Sequence, residues 1–203
     1  MGHLNIIDEK LGTEVAEELG MQGEAAKITP AVNPIDLRPS PALRLYGKYE
    51  PTLKGRKVGV LVAAGFDLQL KNALVAAIEK EEATAVVIAL RVGGVNDSSA
   101  GKHGADAALS GSPSVFFDAV TILAGSAGDA SLAANPDAVS FLMDANRHLK
   151  VIGLSGVPSL TVKAHVGSEA GVIDLVESNA VASFIELARN GKVWERESAS
   201  RGV

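Results

Sequence analysis

The chain has 203 residues, a net charge of −5 and no cysteine. That charge leaves nucleic acid no basic footprint, and the missing cysteines remove disulfides, thiolate metal sites and thiol nucleophiles together. The composition is 47% hydrophobic with only 4% aromatic residues, which favours helices packed on a parallel sheet over a β-sandwich, and no apolar run reaches the roughly 18–20 residues that a bilayer span needs.

In chain order, Met1-Gly2-His3 reads as an expression scar on a frame that begins upstream. The N-terminus lacks the charged start and greasy core of an export signal, so a soluble protein of undetermined compartment is expected. Residues 8–20 read as a helix, with Asp8 as N-cap, Gly20 as the stop, and Leu11, Val15 and Leu19 in one stripe. A lone helix of this length is marginal in water, so the stripe needs a partner surface. Residues 21–56 read as an extended linker, because Pro30, Pro34, Pro39, Pro41 and Pro51 keep the backbone out of helix.

From Lys57 the pattern changes. Residues 57–63 form a buried parallel strand, and Asp67 opens a helix whose inner face carries Leu70, Leu74, Ala77 and Ile78. Residues 79–82 are its solvated end, and residues 84–90 give the second strand of a right-handed βαβ unit. Residues 91–113 read as an irregular excursion with one or two short strands, built on Gly93-Gly94 and Asn96-Asp97 turn chemistry. Residues 114–117 lead back to a core strand at 119–124.

Gly125 to Asp129 follows as a loop, and Asn135-Pro136 then starts a helix carrying Val139, Leu142, Met143 and Asn146. Arg147, His148 and Lys150 suit that helix's negative C-terminal end. Residues 151–154 are a strand, 158–166 a short helix and 172–173 a brief strand. Ser178 or Asn179 caps a last helix with Val181, Phe184, Ile185 and Leu187, ended by Asn190-Gly191. Trp194 is read as the anchor of the tail, and residues 195–203 as frayed.

In open parallel sheets, ligands sit beyond the C-terminal ends of the strands. Here that means Gly125-x-x-Gly128 and the turn Leu154-Ser155-Gly156. The first could offer backbone amides to an anion, but it lacks the full dinucleotide pattern and the lysine of a phosphate loop, so a tight βα turn is the plainer reading. The second stands where a nucleophile elbow would be, and Ser155, His165 and Asp174 can be drawn as a triad on paper. A small residue tolerated at a sharp turn is the plainer reading of the serine. His3, His103, His148 and His165 are scattered without metal-ligand spacing, and Asp67 and Asp129 read as helix caps in preference to an acid/base pair.

Several segments resemble the C-terminal region of large-subunit haem catalases. They are Ser40-Pro41-Ala42-Leu43, residues 53–63, Gly65-Phe66-Asp67, His103-Gly104-Ala105-Asp106 and Ser114-Val115-Phe116-Phe117-Asp118-Ala119-Val120. The resemblance covers nearly the whole chain, and the composition is closest to fungal members. It implies that residues 1–20 end the catalase body, 21–56 are the interdomain linker, 57–194 a flavodoxin-like α/β domain with helices on both faces of an open parallel sheet, and 195–203 a flexible tail.

It also implies kinship with the class I glutamine amidotransferase and intracellular-protease superfamily. Active members carry a cysteine at the elbow and a glutamate after the first strand. By position these fall at Leu154 or Ser155 and near Gly65: a leucine cannot attack and a glycine cannot orient anything. The implied pocket of Gly65, Gly125, Gly128, Leu154, Ser155 and Gly156 is therefore vestigial, with no catalytic, cofactor or metal residue. Haem belongs to the parent's body, and Tyr46 and Tyr49 match no haem-ligand motif. Neither haem nor FMN is expected on this chain.

The resemblance implies a parent that is a tetrameric haem-dependent hydrogen-peroxide dismutase, intracellular or secreted. The fragment itself would stabilise that parent by contact with the catalase body. It would also act as a chaperone-like holdase for unfolded clients through Leu11, Val15, Leu19, Leu37, Leu43 and Leu45. The alternative is a residual hydrolase or glyoxalase activity at the elbow.

Overall fold

The computed structural model describes residues 2–21, 28–33, 35, 37–43 and 50–197. Leu45, Tyr46, Tyr49 and the tail beyond Glu197 lie outside the described residues. The chain divides into two compact units, Met1–Tyr49 and Glu50–Val203.

In the first unit the expected helix is α2, Glu9–Glu18, and Asp8 caps it by accepting from the amides of Lys10 and Leu11. A further helix, α1 (Gly2–Ile7), precedes it, although no cap or periodicity announces it in the sequence. The face that α2 buries is Gly12 and Ala16, and the Leu11–Val15–Leu19 stripe is not that face. A methyl group on Gly12 would lie 1.6 Å from the Asn5 side chain, so the glycine is what lets α1 and α2 approach. Leu11 and Leu19 are exposed, as are Leu37 and Leu43.

The second unit is a six-stranded sheet. Its strands are β1 (Lys57–Val62), β2 (Thr84–Ala89), β5 (Ala107–Ala108), β6 (Ala119–Leu123), β7 (Ile152–Ser155) and β8 (Val172–Asp174). They lie in the order β5-β2-β1-β6-β7-β8, and every pair is parallel. Residues Val95–Asn96 (β3) and Lys102–His103 (β4) make a separate antiparallel ribbon within the excursion. The central strands read as continuous apolar runs because both faces are covered. Helices α3 (Leu68–Lys80) and α7 (Ala180–Asn190) bury Leu74, Ile78, Phe184 and Ile185 on one side. On the other side lie α4 (Ser126–Ala133), α5 (Pro136–Arg147) and α6 (Pro158–Ala164), with Leu132, Phe141, Leu142 and Leu160. This is the flavodoxin-like fold.

The helix starts at Asp67 and Asn135 are as expected: each side chain accepts from two backbone amides of its own helix. Asn179 begins α7 in the left-handed region, without a side-chain cap, and Gly191 ends it at φ 84°. Glu81 and Arg189 join α3 to α7 through paired bonds of 2.5 and 2.8 Å, and this bond holds the Glu81 carboxyl below its usual range.

Four expectations need correction. Gly125 to Asp129 is the first turn of α4, not a loop; its Gly, Ala and Ser residues form no apolar stripe to betray a helix. Leu53, inside the stretch assigned to the linker, is fully buried in the sheet's core. Trp194 is 59% exposed and is not buried as an anchor would be; Arg196, 2% exposed, holds the tail by donating to the carbonyls of Ala170 and Lys150, both at 2.7 Å. Within the stretch read as frayed, Glu195 and Arg196 belong to a 3-10 turn, Trp194–Arg196, and residues 198–203 of that reading lie outside the described residues.

Lys150 is the fourth. It does not serve the end of α5 but lies buried, with its Nζ donating to the carbonyls of Ser114 and Phe117, the latter at 2.6 Å. Burial, helped by the Lys192 charge, pulls its pKa from the ordinary 10.5 to about 8. Between about pH 8 and 10.5 the unfolded chain therefore keeps a proton that the folded chain has released. Stability should rise with pH across that window, by at most about 3 kcal/mol from this group. Urea unfolding from pH 7.5 to 10 should show the rise in the natural chain and its loss in Lys150→Met. An identical profile in both would contradict the assignment.

Candidate functional site

The strand order reverses between β1 and β6, the switch point where such sheets bind ligands. At this point the loops after the two strands meet backbone to backbone. The Gly125 amide donates to the Ala64 carbonyl at 3.0 Å. A methyl on Gly125 would lie 2.8 Å from the Gly65 carbonyl, and one on Gly128 would lie 2.4 Å from the Ala64 carbonyl. The Gly125-x-x-Gly128 spacing thus serves close packing of α4 on the β1 loop. It does not present the Gly125 amide to an anion, because that amide is engaged.

The sharp turn after β7 falls at Gly156, with φ 68°. That is one residue beyond the Leu154–Ser155 pair singled out in the sequence. A methyl on Gly156 would stand 2.1 Å from the Ala124 carbonyl. Real side chains do not approach a backbone oxygen so closely, so the elbow position accepts only glycine. Ser155 remains in the strand, opposite Leu123, and its carbonyl accepts from the Ala124 amide.

The paper triad does not assemble. His165 is exposed and sits in the left-handed region at the far end of α6, about 10 Å of helix away from the elbow. Asp174 uses one carboxylate oxygen on the Val176 amide at 3.0 Å. No hydrogen bond joins Ser155, His165 and Asp174 among the described residues.

Asp129 is a cap, as expected, but of another helix. It is 3% exposed on α4, and its two oxygens accept from Ser159 and Leu160 at 2.9 Å each, at the start of α6. That helix opens with Val157 and Pro158 and has no side-chain cap of its own. In an acyl-transfer enzyme, donors beyond the elbow would receive a developing anion. Here an internal carboxylate already fills this end. No local signal reveals the contact, since Asp129 and Ser159 are thirty residues apart.

One pair escaped the sequence reading altogether. His103 Nε2 lies 2.7 Å from Asp97 Oδ2, and the other Asp97 oxygen accepts from Ser99 and Gly101 at 2.8 and 2.9 Å. The His103 bond, with these amides and against burial, holds the Asp97 carboxyl below its usual range. The Phe66 ring stands edge-on to the imidazole, the Gly65 amide donates to Asn96, and the Ser98 amide donates to Phe66. The β3–β4 ribbon is in this way clamped over the loop that follows β1. The Asn96-Asp97 turn was legible; its histidine partner, six residues from Asp97, was not.

Two cavities open at the strand ends. One of about 610 Å³ lies among β7, α6 and β8, lined by Leu154, Val157, Thr161, Ile173, Asp174 and Glu177 among others. The other, about 280 Å³, lies by β1 and β2 with Val62, Leu90, Arg91 and Ser131. Neither is lined by a histidine, tyrosine, cysteine or methionine, so the residues present do not fit a haem, whose iron needs such an axial ligand. Among the described residues no group of three or more His, Asp or Glu could hold a metal ion.

Residues 54–198 match the family described as the C-terminal domain found in long catalases. The chain belongs to that family. It is 37% identical to Catalase C of Rhizobium meliloti (strain 1021) over 97% of this chain and 28% of that protein. It is 31% identical to Catalase HPII of Pseudomonas putida, again over 97% of this chain, and 27% of that protein. Catalase-1 of Neurospora crassa is 30% identical over 68% of this chain and 21% of that protein. The fungal leaning of the sequence reading is thus corrected, since bacterial relatives match at higher identity and over more of the chain. The chain spans under a third of the length of these relatives. Among solved structures, a mutant of a DJ-1 superfamily protein from Salmonella typhimurium shares the fold. Its TM-score is 0.55 at 21% identity, covering 72% of this chain and 97% of that one.

Proposed function

We propose that the catalase C-terminal domain works through its surface and performs no chemistry at its elbow. The observation carrying this reading is the backbone closure at Gly156, whose missing side chain is the one an elbow nucleophile would need. The Asp129 carboxylate at the start of α6 supports it. In this reading the domain stabilises a parent that dismutates hydrogen peroxide at a haem in its body. It also holds unfolded clients on exposed apolar residues, for which Leu11, Leu19, Leu37 and Leu43 are available.

The holdase part has a direct test. A heat-labile enzyme is warmed with the full chain at near-stoichiometric ratio while light scattering is followed. Suppressed scattering is the expected result, and scattering equal to that with an inert carrier protein would remove the holdase function.

A further inference from the structure

The cavity beside β8 combines three features. First, β8 is an edge strand paired with β7 alone, and on its open side the Val172 amide donates to the Glu169 carbonyl at 3.0 Å. An unpaired edge is a template for another extended chain. Second, the floor is apolar, made by Leu154, Val157 and Val172, which pack on the α6 side of the sheet. Val162 and Val176, each next in sequence to a lining residue, are 74% exposed. Third, the charged residues lining it are Asp174 and Glu177, both acidic. Asp174 has one oxygen tied to the Val176 amide at 3.0 Å, which fixes the carboxylate in place. Lys163, the one cation of α6, is exposed but does not line the cavity. At about 610 Å³ the space suits a few side chains.

We propose that the groove between α6 and β8 docks an extended polypeptide segment that carries lysine or arginine beside apolar residues. The segment adds a strand to β8. Its apolar side chains meet the floor, and its cationic heads reach Asp174 and Glu177 while their alkyl stems cover Val176. Charge selects the occupant: an acidic segment would set like charges together, whereas a basic one is complementary. The inference deepens the holdase reading and rests on it, since it names the segment that a client would offer.

The test uses the full chain and two short fluorescent peptides, one alternating valine and lysine, the other valine and glutamate. Anisotropy should show binding of the lysine peptide only, weakened by salt. Amide shifts of Val172, Ile173 and Asp174 should move on titration. Glu177→Lys and Asp174→Asn should each weaken binding about tenfold. Asn keeps an oxygen for the Val176 amide, and Glu177 is exposed, so neither change threatens the fold. Equal binding of both peptides, shifts confined to Leu11 and Leu19, or variants that bind as the natural chain does would overturn the proposal. Such a result alongside suppressed scattering leaves the holdase function intact without this groove. Groove binding without suppression removes the holdase function alone.

Discussion

Gly156→Cys, which would place a thiol at the turn after β7, should lower stability by about 3 kcal/mol and the melting temperature by roughly 6–12 °C. Two causes add. The backbone there has φ 68°, which costs a side-chain-bearing residue about 1–2 kcal/mol. The new Cβ would also stand 2.1 Å from the Ala124 carbonyl, so β6 or the turn must move. Gly55→Ala separates the two effects, because Gly55 has φ 74° and nothing within 4 Å of the added methyl. It should lose only the conformational part. Thermal melts followed by circular dichroism read both variants. Equal losses would mean that Ala124 yields freely and that the elbow is not closed by its backbone.

Arg196→Ala should cost about 3 kcal/mol, while Trp194→Ala should cost less than about 1 kcal/mol. The arginine is 2% exposed and satisfies the carbonyls of Ala170 and Lys150, which alanine would leave without donors. The tryptophan is 59% exposed and holds no comparable place. Urea unfolding of the two variants checks the order, and a larger loss in Trp194→Ala would contradict the structure's account of the tail.

That reversal shows what kind of information a sequence carries. A lone tryptophan near a terminus looks like an anchor because its size promises burial. A late arginine looks like a frayed end because burying a guanidinium requires acceptors that no local pattern displays. The same division runs through the fold. Asp67 and Asn135 were legible as helix starts because each caps a helix that begins at the next residue, so the contact is written within four residues. The central strands were legible because burial on both faces leaves only apolar residues. Helix α4 was not, since it packs against the β1 loop through Gly128, and a glycine marks a turn more readily than a helix.

At the candidate site the glycines could be read as turn residues, but not as contacts. What closes the corner is the distance from Gly156 to Ala124 and from Gly125 to Gly65, and these pairs meet only once the sheet has formed. Asp129 over α6 and His103 on Asp97 are likewise tertiary facts. The family resemblance pointed to Leu154 or Ser155, whereas the left-handed turn falls at the next residue. Only the φ angle identifies Gly156 as the turn itself.

The closed corner is tested most directly by turnover. The full chain and its Ser155→Ala variant are assayed side by side for ester hydrolysis and for glyoxalase activity. Ser155 carries the one hydroxyl that the elbow could offer as a nucleophile, and its removal leaves the β7 backbone unchanged. The account predicts that neither protein turns over substrate above the buffer rate. Turnover by the natural chain that disappears in Ser155→Ala would contradict it.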